Sequence, residues 1–146
     1  MRYVSKTESF ENYVNRFNKI FNKDEKYIIF GSAFKAELVR KRVPNIQFYV
    51  DNDEKKVGGK IDGLEIKRPI VLKEAVDAKI IVAVNEYTDV FEQLMLYGIP
   101  EENYCYFKEI IMIREYWDQR KFSFWDVSFI VTNRCTLSCK GCLEYV

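Results

Sequence analysis

The stretch Tyr27–Arg40, YIIFGSAFKAELVR, decides the fold. Its first four residues are apolar throughout, as in a strand covered on both faces; a strand with one wet face would alternate. Gly31-Ser32-Ala33 then makes a tight turn, and FKAELVR is rich in helix formers. A second strand, IQFYV from Ile46 to Val50, ends at Asp51, Asn52 and Asp53. VGGKIDG (57–63) reads as a glycine-rich turn, LEI as a short strand before Pro69, and KIIVAV (79–84) as another doubly covered strand. In EYTDVFEQLMLYG, the residues Tyr87, Val90, Phe91 and Leu94 share one helical face, with Gly98 and Pro100 as stop signals. YCYF (104–107) closes the series as a strand. Strands alternating with helices predict an α/β fold, a Rossmann-like three-layer parallel sheet.

Helices flank this unit. Ser5 and Glu8 have capping-box spacing, and Phe10, Tyr13, Val14, Phe17, Ile20 and Phe21 form one apolar stripe. Downstream, KEIIMIREYWDQRKF reads as a second amphipathic helix, and WDVSFIVTNRC predicts a strand from Asp126 to Val131. The organisation expected is an N-terminal helix over 1–25, an α/β domain over 26–107, and a helix with strand and loop over 108–146.

With 146 residues, 48% hydrophobic and 31% charged, the chain has material for one domain core. Its 23 Lys and Arg against 22 Asp and Glu leave a net charge of +1, which gives no reason to expect nucleic acid or an anionic membrane as partner. No run approaches the roughly 18 apolar residues of a membrane span, and the start, MRYVSKTESF, lacks a signal-peptide core. A cytoplasmic location is expected. Four cysteines in such a chain point to metal or redox chemistry rather than disulfides.

Two places carry chemistry. A strand, a glycine turn and a helix N-terminus offer backbone N–H groups to an anion, and Asp51 stands where a dinucleotide fold holds ribose hydroxyls. Gly31, Ser32, Ala33 and Asp51 are therefore candidate cofactor contacts. The fingerprint GxGxxG reads here as Gly31, Ala33 and Ala36, and a methyl at Ala33 limits close approach of a pyrophosphate. NAD is disfavoured on that ground, and a scaffold without nucleotide stays open beside a nucleotide sugar held through Ser32. The other place is CTLSCKGC, which sets Cys135, Cys139 and Cys142 at CxxxCxxC spacing. Zinc favours four N or S ligands. The chain has no histidine, so a zinc site would need Cys105 as its fourth.

Residues 26–107, from YIIFGSAFKAELVRKRVPNIQFYVDNDEKKVGGKIDGLEIKRP through KIIVAV and YGIPEEN, resemble the Rossmann-like domain at the front of sugar O-acyltransferases and beside some methyltransferases and radical enzymes. That resemblance puts nucleotide or nucleotide-sugar contacts on Gly31, Ser32, Ala33 and Asp51. The strand running into TNRCTLSCKGC resembles the first strand and cluster loop of the radical S-adenosylmethionine enzymes. Gly141 departs from the aromatic residue common before the third cysteine. The resemblance implies a [4Fe–4S] cluster on Cys135, Cys139 and Cys142, with one iron left open for S-adenosylmethionine, which one electron cleaves to a 5′-deoxyadenosyl radical. It also implies an electron donor, a small-molecule or peptide substrate, and a (β/α) barrel of about 200 to 250 residues.

The chain is accordingly expected to be the front of a longer radical enzyme, cut after the cluster cysteines and inactive alone, with the Rossmann-like domain serving recognition or docking. The alternative is a non-catalytic nucleotide or nucleotide-sugar module. Residues 122–134, as a strand severed from its barrel, are expected to pair with another copy of the chain as a homodimer, with a fold-back along the sheet edge or the amphipathic helices as the alternative.

Overall fold

The computed structural model describes residues 9–119. The Ser5–Glu8 pair, the predicted strand 126–131, the self-association segment 122–134 and all three motif cysteines lie outside them.

Helix α1 (Phe10–Ile20) starts at Ser9, whose hydroxyl accepts the Asn12 N–H at 3.2 Å and satisfies one of the free donors of the first turn. Tyr13, Val14 and Phe17 of its apolar stripe are buried. Ring stacking continues from Phe17 to Phe21 at 4.8 Å and from Phe21 to Tyr27 at 6.2 Å, so the helix is locked to the first strand through aromatic contacts.

Six strands follow: β1 (Tyr27–Phe30), β2 (Ile46–Val50), β3 (Lys60–Ile61), β4 (Leu64–Lys67), β5 (Lys79–Val82) and β6 (Tyr104–Tyr106). They lie in the order β3-β4-β2-β1-β5-β6, parallel except for the β3–β4 hairpin. β1 sits centrally with all four residues buried, which is why its sequence carries no polar alternation. Helix α2 (Phe34–Arg40) joins β1 to β2, and helix α3 (Tyr87–Leu96) joins β5 to β6. The chain first builds outward from β1 to β2 and β4, then returns to place β5 on the other side of β1. Strand order therefore reverses between β1 and β5, the arrangement of a Rossmann-like sheet.

Both faces are covered. Helices α1, α2 and α4 (Phe107–Gln119) pack on one face with Ile29, Tyr49, Ile81 and Cys105. α3 and the 3₁₀ turn Pro69–Glu74 cover the other through Leu72, Val90 and Leu94, against Ile28, Phe30, Val50, Ile80 and Val82. Alternate residues of β1 thus serve opposite cores, as strand geometry requires.

Three local differences from the sequence-based expectation have physical reasons. The glycine-rich stretch contains β3, since Asp62 (φ 48°) and Gly63 (φ 81°) form a tight turn that folds Lys60–Ile61 back on β4. β5 ends at Val82 rather than Val84, where the chain leaves the sheet toward α3. Phe107 begins α4 instead of ending β6. Among the described residues no helix is long and apolar enough to cross a membrane.

Candidate functional site

The carboxyl ends of β1 and β2 bring the predicted residues Gly31, Ser32, Ala33 and Asp51 to one corner, beside the point where strand order reverses. The chain leaves β1 through Gly31 at φ 108°, a conformation that a side chain disfavours. Its N–H donates to the Val50 carbonyl at 2.7 Å, and the Ala83 N–H donates to the Phe30 carbonyl at 2.8 Å. A Cβ at position 31 would lie 2.8 Å from the Ala83 carbonyl oxygen and 3.0 Å from Val84 Cγ1. The space that glycine creates is therefore filled by the loop after β5. In the GxGxxG fingerprint the first glycine serves the tight turn, and the approach of a pyrophosphate is set at the second position, here Ala33.

Asp51 follows the last residue of β2 and its carboxylate is buried, with 11% of the side chain exposed. Ser32 Oγ donates to Oδ2 at 2.5 Å, Lys56 Nζ to Oδ2 at 3.1 Å, and the Asp53 N–H to Oδ1 at 2.9 Å. Three of the roughly four acceptor positions of a carboxylate are thus taken by the chain. Burial, the largest influence, pushes the Asp51 carboxyl up. The hydrogen bonds from Ser32, Asp53 and Lys56, with the Lys56 charge, outweigh it and hold the pKa below the ordinary carboxylate value.

The other two positions of the corner are less suited to an anion. Ala33 is the N-cap of α2 with no side-chain cap, and α2 has seven residues, so its dipole is small. Ala36, at the third fingerprint position, is buried in the core with its methyl among α1 and α4 residues. Nearby, Lys35 Nζ donates to the Val84 carbonyl at 3.2 Å and lies 5.1 Å from the Phe107 ring centre, while Asn52 and Gln93 exchange amide hydrogen bonds of 2.9 and 3.2 Å. The sequence placed Asp51 at the end of β2, where the structure has it, and missed its partners Lys56 and Asp53. Asx-turn spacing, with Asp51 two residues before Asp53, was the signal available.

Cys105 is a buried cysteine on β6, outside any disulfide, 2% exposed and packed in the core with α4 residues. Among the described residues no cluster of three or more His, Cys, Asp or Glu is arranged to hold a metal.

No protein-family model matches the chain, and no curated protein matches it. Solved structures do. The UDP-D-quinovosamine 4-dehydrogenase of Vibrio fischeri is 18% identical with a TM-score of 0.41, over 56% of this chain and 75% of that one. RSP, a Rex-family repressor, is 14% identical with a TM-score of 0.46, over 73% of this chain and 66% of its own. RSP in complex with β-NAD+ and operator DNA gives 15% and 0.43, over 75% of this chain and 65% of that one. The Rossmann-like description of this chain rests on its strand order and crossovers, and these likenesses add nothing about its ligands.

Proposed function

We propose that this chain is the front part of a radical S-adenosylmethionine enzyme, in which Cys135, Cys139 and Cys142 hold a [4Fe–4S] cluster and the Rossmann-like domain serves substrate recognition or docking. The single observation that carries the proposal is the CxxxCxxC spacing after an apolar segment. The donor set fits such a cluster: three thiolates ligate three irons and leave the fourth for a second ligand. When bound, the cluster supplies one-electron cleavage of S-adenosylmethionine. A zinc site is the weaker fit, since the chain has no histidine and Cys105 would have to leave the core to become a fourth ligand.

In the α/β domain the Ala83 carbonyl packs against Gly31, and Asp51 already accepts from Ser32, Asp53 and Lys56, which favours a recognition or docking role over tight nucleotide binding. A second function, binding of a nucleotide or nucleotide sugar, is favoured by the place of Ser32 and Asp51 at the carboxyl ends of β1 and β2. Such a ligand can use the one acceptor position that Asp51 Oδ1 keeps beside the Asp53 N–H, or displace Ser32 or Lys56 from Oδ2.

Metal analysis after anaerobic reconstitution with iron and sulfide tests the proposal. Iron and sulfide are expected in near-equal amounts, lost in each of Cys135→Ala, Cys139→Ala and Cys142→Ala and retained in Cys105→Ala. Zinc in place of iron, released by Cys105→Ala, overturns it. Calorimetric titration with NAD+ and with a UDP-sugar separates the second function: micromolar binding abolished by Asp51→Ala would establish it.

A further inference from the structure

Near the amino end of β1, a cleft of about 310 Å³ opens between the end of α2 and the last turns of α4. Lys41, Arg42, Arg114, Glu115, Asp118 and Gln119 line it. Four of its five charged groups are matched within the chain: Lys41 with Glu37 at 2.7 Å, Arg42 with Glu115 Oε1 at 3.0 Å, and Asp118 with Lys23 at 2.6 Å. Arg114 is the exception. It is 5% exposed, and its Nη2 donates to the Phe21 carbonyl at 2.6 Å and to the Tyr27 hydroxyl at 3.4 Å. Both partners are neutral. Burial pushes the Tyr27 pKa up, against the pull of Arg114, and its hydroxyl donates to the Asn22 carbonyl, so it stays a phenol. Among the described residues Arg114 has no carboxylate partner, and its Nε–H meets no acceptor.

A buried guanidinium without a counter-ion is costly, and this one lies in the wall of a cleft of ligand size. Beside it, Glu115 Oε2 is buried and lacks a donor. Arg114 and Glu115 are thus consecutive residues that want an oxyanion and a hydrogen-bond donor respectively. We infer that the cleft between α2 and α4 binds a small carboxylate carrying an adjacent amino or hydroxyl group, its carboxylate on Arg114 and its donor on Glu115. The carboxylate takes the Nε–H, the Arg114 donor left without an acceptor, as a charge-assisted hydrogen bond.

The Nε–H resonances of arginine report directly on this. In the intact chain, with Arg114 assigned through Arg114→Lys, titration with glycine, glycolate and acetate at constant ionic strength is expected to move the Arg114 Nε–H signal saturably. Glycine or glycolate should act at least about tenfold more tightly than acetate, since acetate leaves Glu115 unpartnered. The tighter of the two identifies the donor as ammonium or hydroxyl. Glu115→Gln is expected to erase most of the preference over acetate while leaving carboxylate binding in place. No saturable movement with any probe, or equal response to acetate and glycine and glycolate, overturns the assignment. The native titration stands if Arg114→Lys fails to fold, because the signal that moves is then assigned through its contacts to Tyr27.

Discussion

At the carboxyl ends of β1 and β2, the buried carboxylate of Asp51 meets a hydroxyl, a backbone N–H and an ammonium. At the amino end of β1, the buried guanidinium of Arg114 meets a carbonyl and a neutral phenol. The first corner looks from its sequence like a ligand site and is satisfied from within. The second carries no motif and holds charge that the described residues leave unmatched. Position in a familiar fold indicates where ligands can bind, and the state of the hydrogen-bonding groups indicates where one is wanted.

The largest expected effect breaks the first corner. Gly31→Ala combines a positive φ with a Cβ 2.8 Å from the Ala83 oxygen, and neither backbone segment yields cheaply. Urea unfolding should show a loss of about 2–4 kcal/mol. A loss below about 1 kcal/mol would mean that the β1 and β5 loops are not in contact.

Asp51→Asn comes next, with a loss of about 1–3 kcal/mol at neutral pH from charged hydrogen bonds. Its pH dependence identifies the cause. The folded pKa lies below the unfolded value of about 3.9, so the stabilisation is complete above that value and disappears as pH falls through the folded one. The gap between native and variant should hold from pH 7 to about 5 and close in acid. A gap unchanged at about pH 2 would show that packing, not ionisation, is responsible.

Gly58→Ala sharpens the contrast among glycines. It also has a positive φ, 84°, but nothing lies within 4 Å of an added Cβ, so only the backbone term of about 1 kcal/mol should remain. The smallest effect is Asn52→Ala, which removes an exposed amide pair with Gln93 and should change stability by no more than about 0.5 kcal/mol. A larger loss would make the β2–α3 link part of the corner's support.

Much of the fold was legible because β1, β5 and the α1 stripe carry their burial in their spacing. The β3–β4 hairpin was hidden since two-residue strands have no periodicity to read, and Gly58 and Gly59 dominate that stretch. The position of Asp51 was legible because the apolar run of β2 ends just before it. Its capture by Lys56 depends on how the loop after β2 folds back, which spacing alone does not determine. Arg114 was not singled out by the sequence reading. It lies four residues after Ile110 and three after Ile111, both buried, and a charged residue on an apolar stripe is the signal that could have found it.

The central claim, that the three cysteines of CxxxCxxC make a cluster open to S-adenosylmethionine, is tested most directly by low-temperature EPR of the anaerobically reconstituted and reduced chain. A reduced [4Fe–4S] signal that changes shape when S-adenosylmethionine is added, and that is absent in Cys139→Ala, is the predicted result. An EPR-silent protein holding zinc, or a cluster signal indifferent to S-adenosylmethionine, would contradict it.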